Sequence, residues 1–349
     1  MKDRWKQILI ILAGLLVIAA VSITYYFHRN LNYPQQMVAE IKRAGFVEKQ
    51  IELPDGNVLN YGEGPDNGPA LLLIHAQTAD WTTYGRNLPE LSKKFHVFAI
   101  DCYGHGKSSH NPEKYSANEM GEDFSWFIQN VIQEKVIVSG HSSGGLMAVW
   151  LGANAHDMVS RLVLEDPPLF SSEDQRKKMT YNYLDLSTIS HQFLQHDEEN
   201  DFSLYYFLNQ RSWKFFPEKA RGNLKKEGIR YRQKHPEKPL LIKYLPPTAT
   251  ITFINLDQYD PRFGESFYDG SFMTGFDHQE SLERVKAPTI LIHANWMEDE
   301  GVLNGAMTDE DANRVVESLA EGKLVKVDSG HGFHFEKPKQ FNEIIFSAK

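Results

Sequence analysis

The residues best suited to chemistry stand in three places. In "VIVSGHSSGGLMAVWLGA", Gly140, Ser142 and Gly144 form G-x-S-x-G between a continuous apolar run and an amphipathic helical pattern. A sharp turn from strand to helix would hold the Ser142 hydroxyl in strained backbone at a sheet edge. Glycines two residues to either side would relieve crowding in that turn. The helix beyond it aims its N-terminus at the hydroxyl and favours developing negative charge. Ser143 is off the centre of the motif, and its backbone N–H is an oxyanion donor. His141, next to the nucleophile, points the other way along an extended chain and reads as structural.

A serine hydroxyl needs a base at neutral pH. In "VDSGHGFHFEKPKQF" a strand pattern ends at Asp328, Ser329-Gly330 makes a loop, and His331 stands at its tip. His334 is the alternative, but it opens a helical pattern and packs there more naturally. The third place is "NWMEDEG", where Glu298, Asp299 and Glu300 follow the apolar run "PTILIHA". A buried carboxylate would fix the tautomer of the histidine and stabilise the imidazolium.

The elements that must position these groups alternate. "ALLLIHA", "HVFAIDCYG", "VIVSGHS" and "RLVLEDPP" read as buried strands, with helical patterns around 84–94, 116–134 and 143–155. That rhythm predicts an α/β fold, a mostly parallel sheet with helices on both faces. Before it, "FVEKQIELPDGNVLNYGEG" reads as a hairpin turning at Asp55-Gly56. After Pro167-Pro168 the alternation stops. Residues 169–285 read as a helical insertion, with "QHDEEND" as a solvated acidic turn. Its aromatics, Tyr181, Tyr183, Tyr206, Phe207, Trp213 and Phe215 among them, form mostly its own core, and some line a pocket. Strand patterns resume at "PTILIHA" and "KLVKVDSG", with the helix "DEDANRVVESL" between them and Thr308 as its N-cap.

Residues 8–27 carry no charge and match a bilayer in length, with Lys2, Arg4 and Lys6 ahead of them. The basic excess predicts an inside N-terminus and an extracytoplasmic body. A signal sequence cleaved near Ala20-Val21-Ser22, leaving a secreted body, is the rival. The organisation is then 1–28 as anchor or signal, 29–45 as a polar stalk, 46–168 with 286–349 as the core, and 169–285 as a lid.

The 349 residues carry a net charge of −9, which argues against a nucleic-acid partner. The single cysteine, Cys102, rules out an internal disulfide and a thiolate zinc site, and reads as a small buried residue. His293 and Glu298 lack convincing metal-ligand spacing, so neither metal nor organic cofactor is expected.

These motifs resemble the α/β-hydrolase family over roughly 46–349. The elbow matches at Ser142. The histidine loop G-H-x-x-x-x-E-x-P matches at Gly330, His331, Glu336 and Pro338. The turn D-x-x-G-x-G-x-S matches at Asp101, Gly104, Gly106 and Ser108. The resemblance implies a helical cap at 169–285 and the order Ser, acid, His. Where the family has His-Gly, this chain has His75-Ala76-Gln77. By position Gln77 N–H becomes the first oxyanion donor and Ser143 N–H the second; Trp81 and Tyr84 read as wall packing, with substrate contact as the alternative. The family's acid follows "PTILIHA" as G-x-x-D-x-x-V. Counting from Ala294 reaches Met297, which cannot serve. Counting back from Val302 reaches Asp299, which leads, with Glu298 behind it. Asp166, at the end of "RLVLEDPP", is the main rival, because some members carry their acid there.

The implied activity is that of a serine hydrolase acting on an ester, amide or thioester of a small, partly apolar molecule. Cleavage of carbon–carbon bonds is a variant of the same machinery. A ligand-binding or sensing module with little turnover is the alternative.

Overall fold

The computed structural model describes residues 2–348 apart from 174, 197–199 and 243. Part of the expected acidic turn therefore lies outside the described residues. The strands are β1 (Val47–Glu52), β2 (Val58–Glu63), β3 (Ala70–Ile74), β4 (His96–Ile100), β5 (Val136–His141), β6 (Val159–Glu165), β7 (Thr289–His293), β8 (Met297–Asp299), β9 (Val302–Asn304) and β10 (Gly322–Lys326). Eight of them form one sheet in the order β1-β2-β4-β3-β5-β6-β7-β10. β2 runs antiparallel to both neighbours, and every pairing from β4 to β10 is parallel. β8 and β9 make a separate hairpin.

Alternation along each strand feeds two apolar cores. Leu72, Ile74, Val136, Val138, Leu162 and Leu164 face the helices Ala117–Phe127 and Ser143–Asn154. Leu71, Leu73, Ile137, Val163 and Ile292 face the helix Pro338–Ser347 on the opposite side. The central strands are thus apolar on both faces, which is why they read as continuous runs. Asp309–Ser318 is capped as expected. The Thr308 hydroxyl accepts from Asp311 N–H, and the Asp311 carboxylate accepts from Thr308 N–H.

The chain between β6 and β7 is helical, including Thr188–Leu194, Phe202–Asn209, Glu218–Lys234, Pro247–Leu256 and Pro261–Asp269. Tyr206, Phe207, Trp213 and Phe253 pack on one another at ring distances of 5.1–6.4 Å.

The N-terminal segment departs from expectation. No polar stalk separates an anchor from the body: one helix of 42 residues runs from Lys2 to Arg43. Its first part contains a window of mean hydropathy 2.7 that is wholly exposed, long and apolar enough to cross a membrane. Its second part lies on the body. Asn30, Met37 and Ile41 recur on one helical face and are buried, the last two inside the core that backs the sheet.

Candidate active site

β5 ends at His141 and the helix Ser143–Asn154 starts two residues on, with Ser142 between them at φ 54°, ψ −119°. Such a conformation in a non-glycine residue is strained, and the packing around it has to hold it. Both flanking glycines are required by close approach. A Cβ on Gly140 would lie 2.1 Å from Gly144 O, and one on Gly144 would lie 2.3 Å from Ile74 O. Ser142 N–H donates to Glu165 O at 2.9 Å, tying the turn to β6.

Ser142 and His331 line one cavity of about 840 Å³ between the strand ends and the helical segment. Gln77, His141, Tyr181, Tyr183 and Phe215 also border it. Ser143 is buried at the first turn of the helix behind Ser142. Tyr259 O–H donates to Gln77 Oε1 at 3.3 Å, so the helical segment reaches the loop after β3. Trp81 and Tyr84 are buried in the core backing the sheet and do not border the cavity.

His331 Nδ1–H donates to Asp166 Oδ2 at 2.7 Å. Asp166 is buried just past the end of β6, at φ 44°, and its Oδ1 accepts from Ala294 N–H at 3.2 Å. Burial opposes its ionisation, but the His293 imidazole 3.5 Å away and the hydrogen bond from His331 hold its carboxyl below the usual range. The same contact works on His331. Burial disfavours the imidazolium, yet the Asp166 hydrogen bond and the charges of Asp166, Glu165 and Glu336 raise its pKa above the ordinary value.

The expectation that Asp299 pairs with His331 is corrected. Asp299 ends β8 opposite Val302 of β9, with Glu300 and Gly301 between them at φ 53° and 77°. Two successive positive φ values make a tight hairpin turn, so the spacing that suggested an acid loop is hairpin spacing. The hairpin carries Asp299 to the cavity rim, where it pairs with Lys214 Nζ at 2.7 Å and its side chain is 41% exposed. Glu298 is exposed on the same hairpin.

Three groups hold the His331 loop from behind. His334 N–H and Nδ1–H donate to the buried Glu165 carboxylate at 2.8 and 2.9 Å. His141 Nε2–H donates to His331 O at 2.8 Å, and burial keeps this imidazole neutral by pushing its pKa down to about 3. Glu336 accepts from Gly330 N–H at 3.0 Å. His141, Glu165 and His334 are also the one group among the described residues that brings three possible metal ligands together. As they stand, the Glu165 carboxylate and His141 Nε2 are committed to the loop, which does not fit a metal centre. Asp101 braces the β4 turn by accepting from Trp81 N–H at 2.7 Å and Lys107 N–H at 3.1 Å. Cys102 is buried, and its N–H donates to His75 Nε2.

Sequence reasoning ranked Asp166 second and missed Glu165. Two successive acids close a buried strand, and alternation sends their carboxylates to opposite sides of the strand. That signal was present in "RLVLEDPP".

A glycine-flanked serine turn at the end of the fifth strand and a histidine loop after the last one, on a mostly parallel sheet, make up the α/β-hydrolase fold. The chain belongs to the alpha/beta hydrolase fold family, which it matches over residues 69–338. Human serine hydrolase-like protein 2 is 23% identical over 313 residues, 86% of this chain and 93% of that protein. Among solved structures, an esterase from Exiguobacterium antarcticum superposes with a TM-score of 0.61 at 19% identity, covering 86% of this chain and 98% of that one. A membrane phospholipase A described as a bacterial virulence factor gives a TM-score of 0.61 at 18% identity, covering 97% and 96%. At these identities the structural likenesses carry the fold alone.

Proposed function

We propose that the protein is a serine hydrolase acting on a carboxylic ester or thioester, with Ser142 as nucleophile, His331 as base and Asp166 as the acid that orients it. The observation that carries this reading is the 2.7 Å contact from His331 Nδ1 to the buried Asp166, beside a strained serine on the same cavity. His331 Nε2 takes the Ser142 proton as Oγ bonds to the substrate carbonyl carbon. The oxyanion forms against Gln77 and Ser143 N–H, two donors worth about 3 kcal/mol each. His331 returns the proton to the leaving alkoxide or thiolate, and the acyl-serine remains. Water, deprotonated by His331, then attacks the acyl carbon; the bond to Ser142 Oγ breaks, His331 returns the proton to Oγ, and the acid leaves.

Residues 169–285 act in this reading as a cap that closes the cavity. The apolar part of the N-terminal helix spans a membrane, and the basic residues ahead of it put the catalytic body on the extracytoplasmic side. The test is labelling of the full chain with a fluorophosphonate probe, alongside hydrolysis of p-nitrophenyl butyrate. Wild type should label and turn over. Ser142→Ala, with an unchanged melting temperature, should do neither. Turnover retained in Ser142→Ala would overturn the assignment.

A further inference from the structure

The exposed apolar part of the N-terminal helix ends where the helix meets the wall of the cavity. Phe27 packs edge-on against Tyr244 at 5.2 Å. Asn30 is buried and its Nδ2 donates to Leu245 O at 3.0 Å. Tyr33 meets Phe335 at 6.2 Å. Tyr244 and Leu245 lead into the helix Pro247–Leu256, which packs on the N-terminal helix and presents Ile251 to the cavity. Phe335, four residues past His331, borders the cavity as well. One layer of side chains therefore separates the membrane-type helix from the space beside Ser142.

That space is large for a small ester, close to the upper end of the roughly 300–1,000 Å³ typical of ligand sites. Ile251, Leu186, Phe267 and Phe215 give it apolar walls. At the rim Phe215 and Met297 are 67% and 62% exposed, an arrangement that costs solvation in water and none in lipid.

We propose that the substrate is an ester with a long alkyl chain, drawn from the bilayer that holds the N-terminal helix, its chain lying along the wall formed by Ile251 and Phe335. This rests on the serine-hydrolase reading and names its substrate class. Burial of each added methylene is worth up to about fourfold in kcat/KM.

The experiment uses the full chain reconstituted in phosphatidylcholine vesicles. With p-nitrophenyl butyrate, hexanoate and octanoate as dissolved monomers, kcat/KM should rise at least tenfold from four to eight carbons. Ile251→Trp should lower octanoate kcat/KM at least tenfold more than butyrate kcat/KM and so remove that rise. Octanoate should inhibit butyrate hydrolysis in wild type where acetate does not, a check that needs no variant. p-Nitrophenyl oleate placed in the same vesicles as the protein should be cleaved at least tenfold faster than oleate ester held in separate vesicles.

A flat chain-length profile, an equal loss of butyrate and octanoate turnover in a folded Ile251→Trp, or equal rates from the two vesicle arrangements would overturn this inference and leave the hydrolase reading standing. Butyrate turnover that survives Ser142→Ala would instead remove the hydrolase reading beneath it.

Discussion

In the proposed serine-hydrolase mechanism, replacing Asp166 by asparagine should abolish turnover through a single proton. Both Asp166 oxygens accept: Oδ1 from Ala294 N–H at 3.2 Å and Oδ2 from His331 Nδ1–H at 2.7 Å. An asparagine has one acceptor oxygen and one amide nitrogen for these two contacts. Ala294 N–H is a fixed donor, so the amide oxygen turns to it and the NH2 faces His331. His331 then has to accept at Nδ1 and carry its proton on Nε2, the nitrogen that must take the Ser142 proton. The wrong tautomer costs about four orders of magnitude in kcat, or about 5.4 kcal/mol at 1.36 kcal/mol per tenfold. Asp299→Asn is the control. It breaks a pair with Lys214 in which both side chains are more than a third exposed, a contact worth about 0–1 kcal/mol. Its kcat should change by no more than about fivefold. The assay is kcat and KM for p-nitrophenyl butyrate from pH 5 to 9, with a thermal melt of each variant. A folded Asp166→Asn within tenfold of wild type, or an Asp299→Asn that loses more than a hundredfold, would refute the tautomer argument.

Two further outcomes follow from the surroundings of the site. The groups that face His331 are Asp166, Glu165, Glu336, His141 and His334, and the three carboxylates raise its pKa while burial lowers it. In the proposed mechanism His331 must be neutral to act as base, so activity should fall as pH drops through its raised pKa. Glu165→Gln removes one raising charge but keeps an acceptor for His334, so the acid limb of kcat/KM should move to lower pH with less than a tenfold loss at the plateau. An unmoved limb would mean that Glu165 acts on packing alone. Thr308→Ala removes one half of the capping box on Asp309–Ser318 and should cost about 1 kcal/mol, a fall of about 1–3 °C in Tm, with kcat unchanged.

Most of the scaffold was legible because burial imposes it. β3, β5, β6 and β7 are apolar on both faces, and only a covered parallel sheet makes that composition stable. Ser142 was legible because its turn needs glycine at 140 and 144, a local constraint that composition records directly. His331 was legible because Gly330 and Glu336 close its loop within six residues. The carboxylate that pairs with His331 was harder for the opposite reason. Its partner is 165 residues away, and nothing local distinguishes a carboxylate that meets an imidazole from one that meets a lysine. Asp299-Glu300-Gly301-Val302 satisfied a spacing rule, but Asp-x-Gly with two positive φ values is also what a hairpin turn demands, and the backbone took that reading.

The N-terminal helix shows the same limit from another side. Its hydropathy announces a membrane-type span, and that signal is strong enough to hide a weaker one beginning inside the next turn. Asn30, Met37 and Ile41 are spaced seven and four apart, the period of a helix face that packs, and the face is buried. A tether would let the body move freely beneath the membrane. A face that enters the core behind the sheet, and whose neighbours touch Leu245 and Phe335, fixes instead how the body stands against the helix. The segment that composition separates most clearly from the α/β-hydrolase fold is thus continuous with the wall of the cavity that holds Ser142, and truncations should be placed before Phe27 if that wall is to survive.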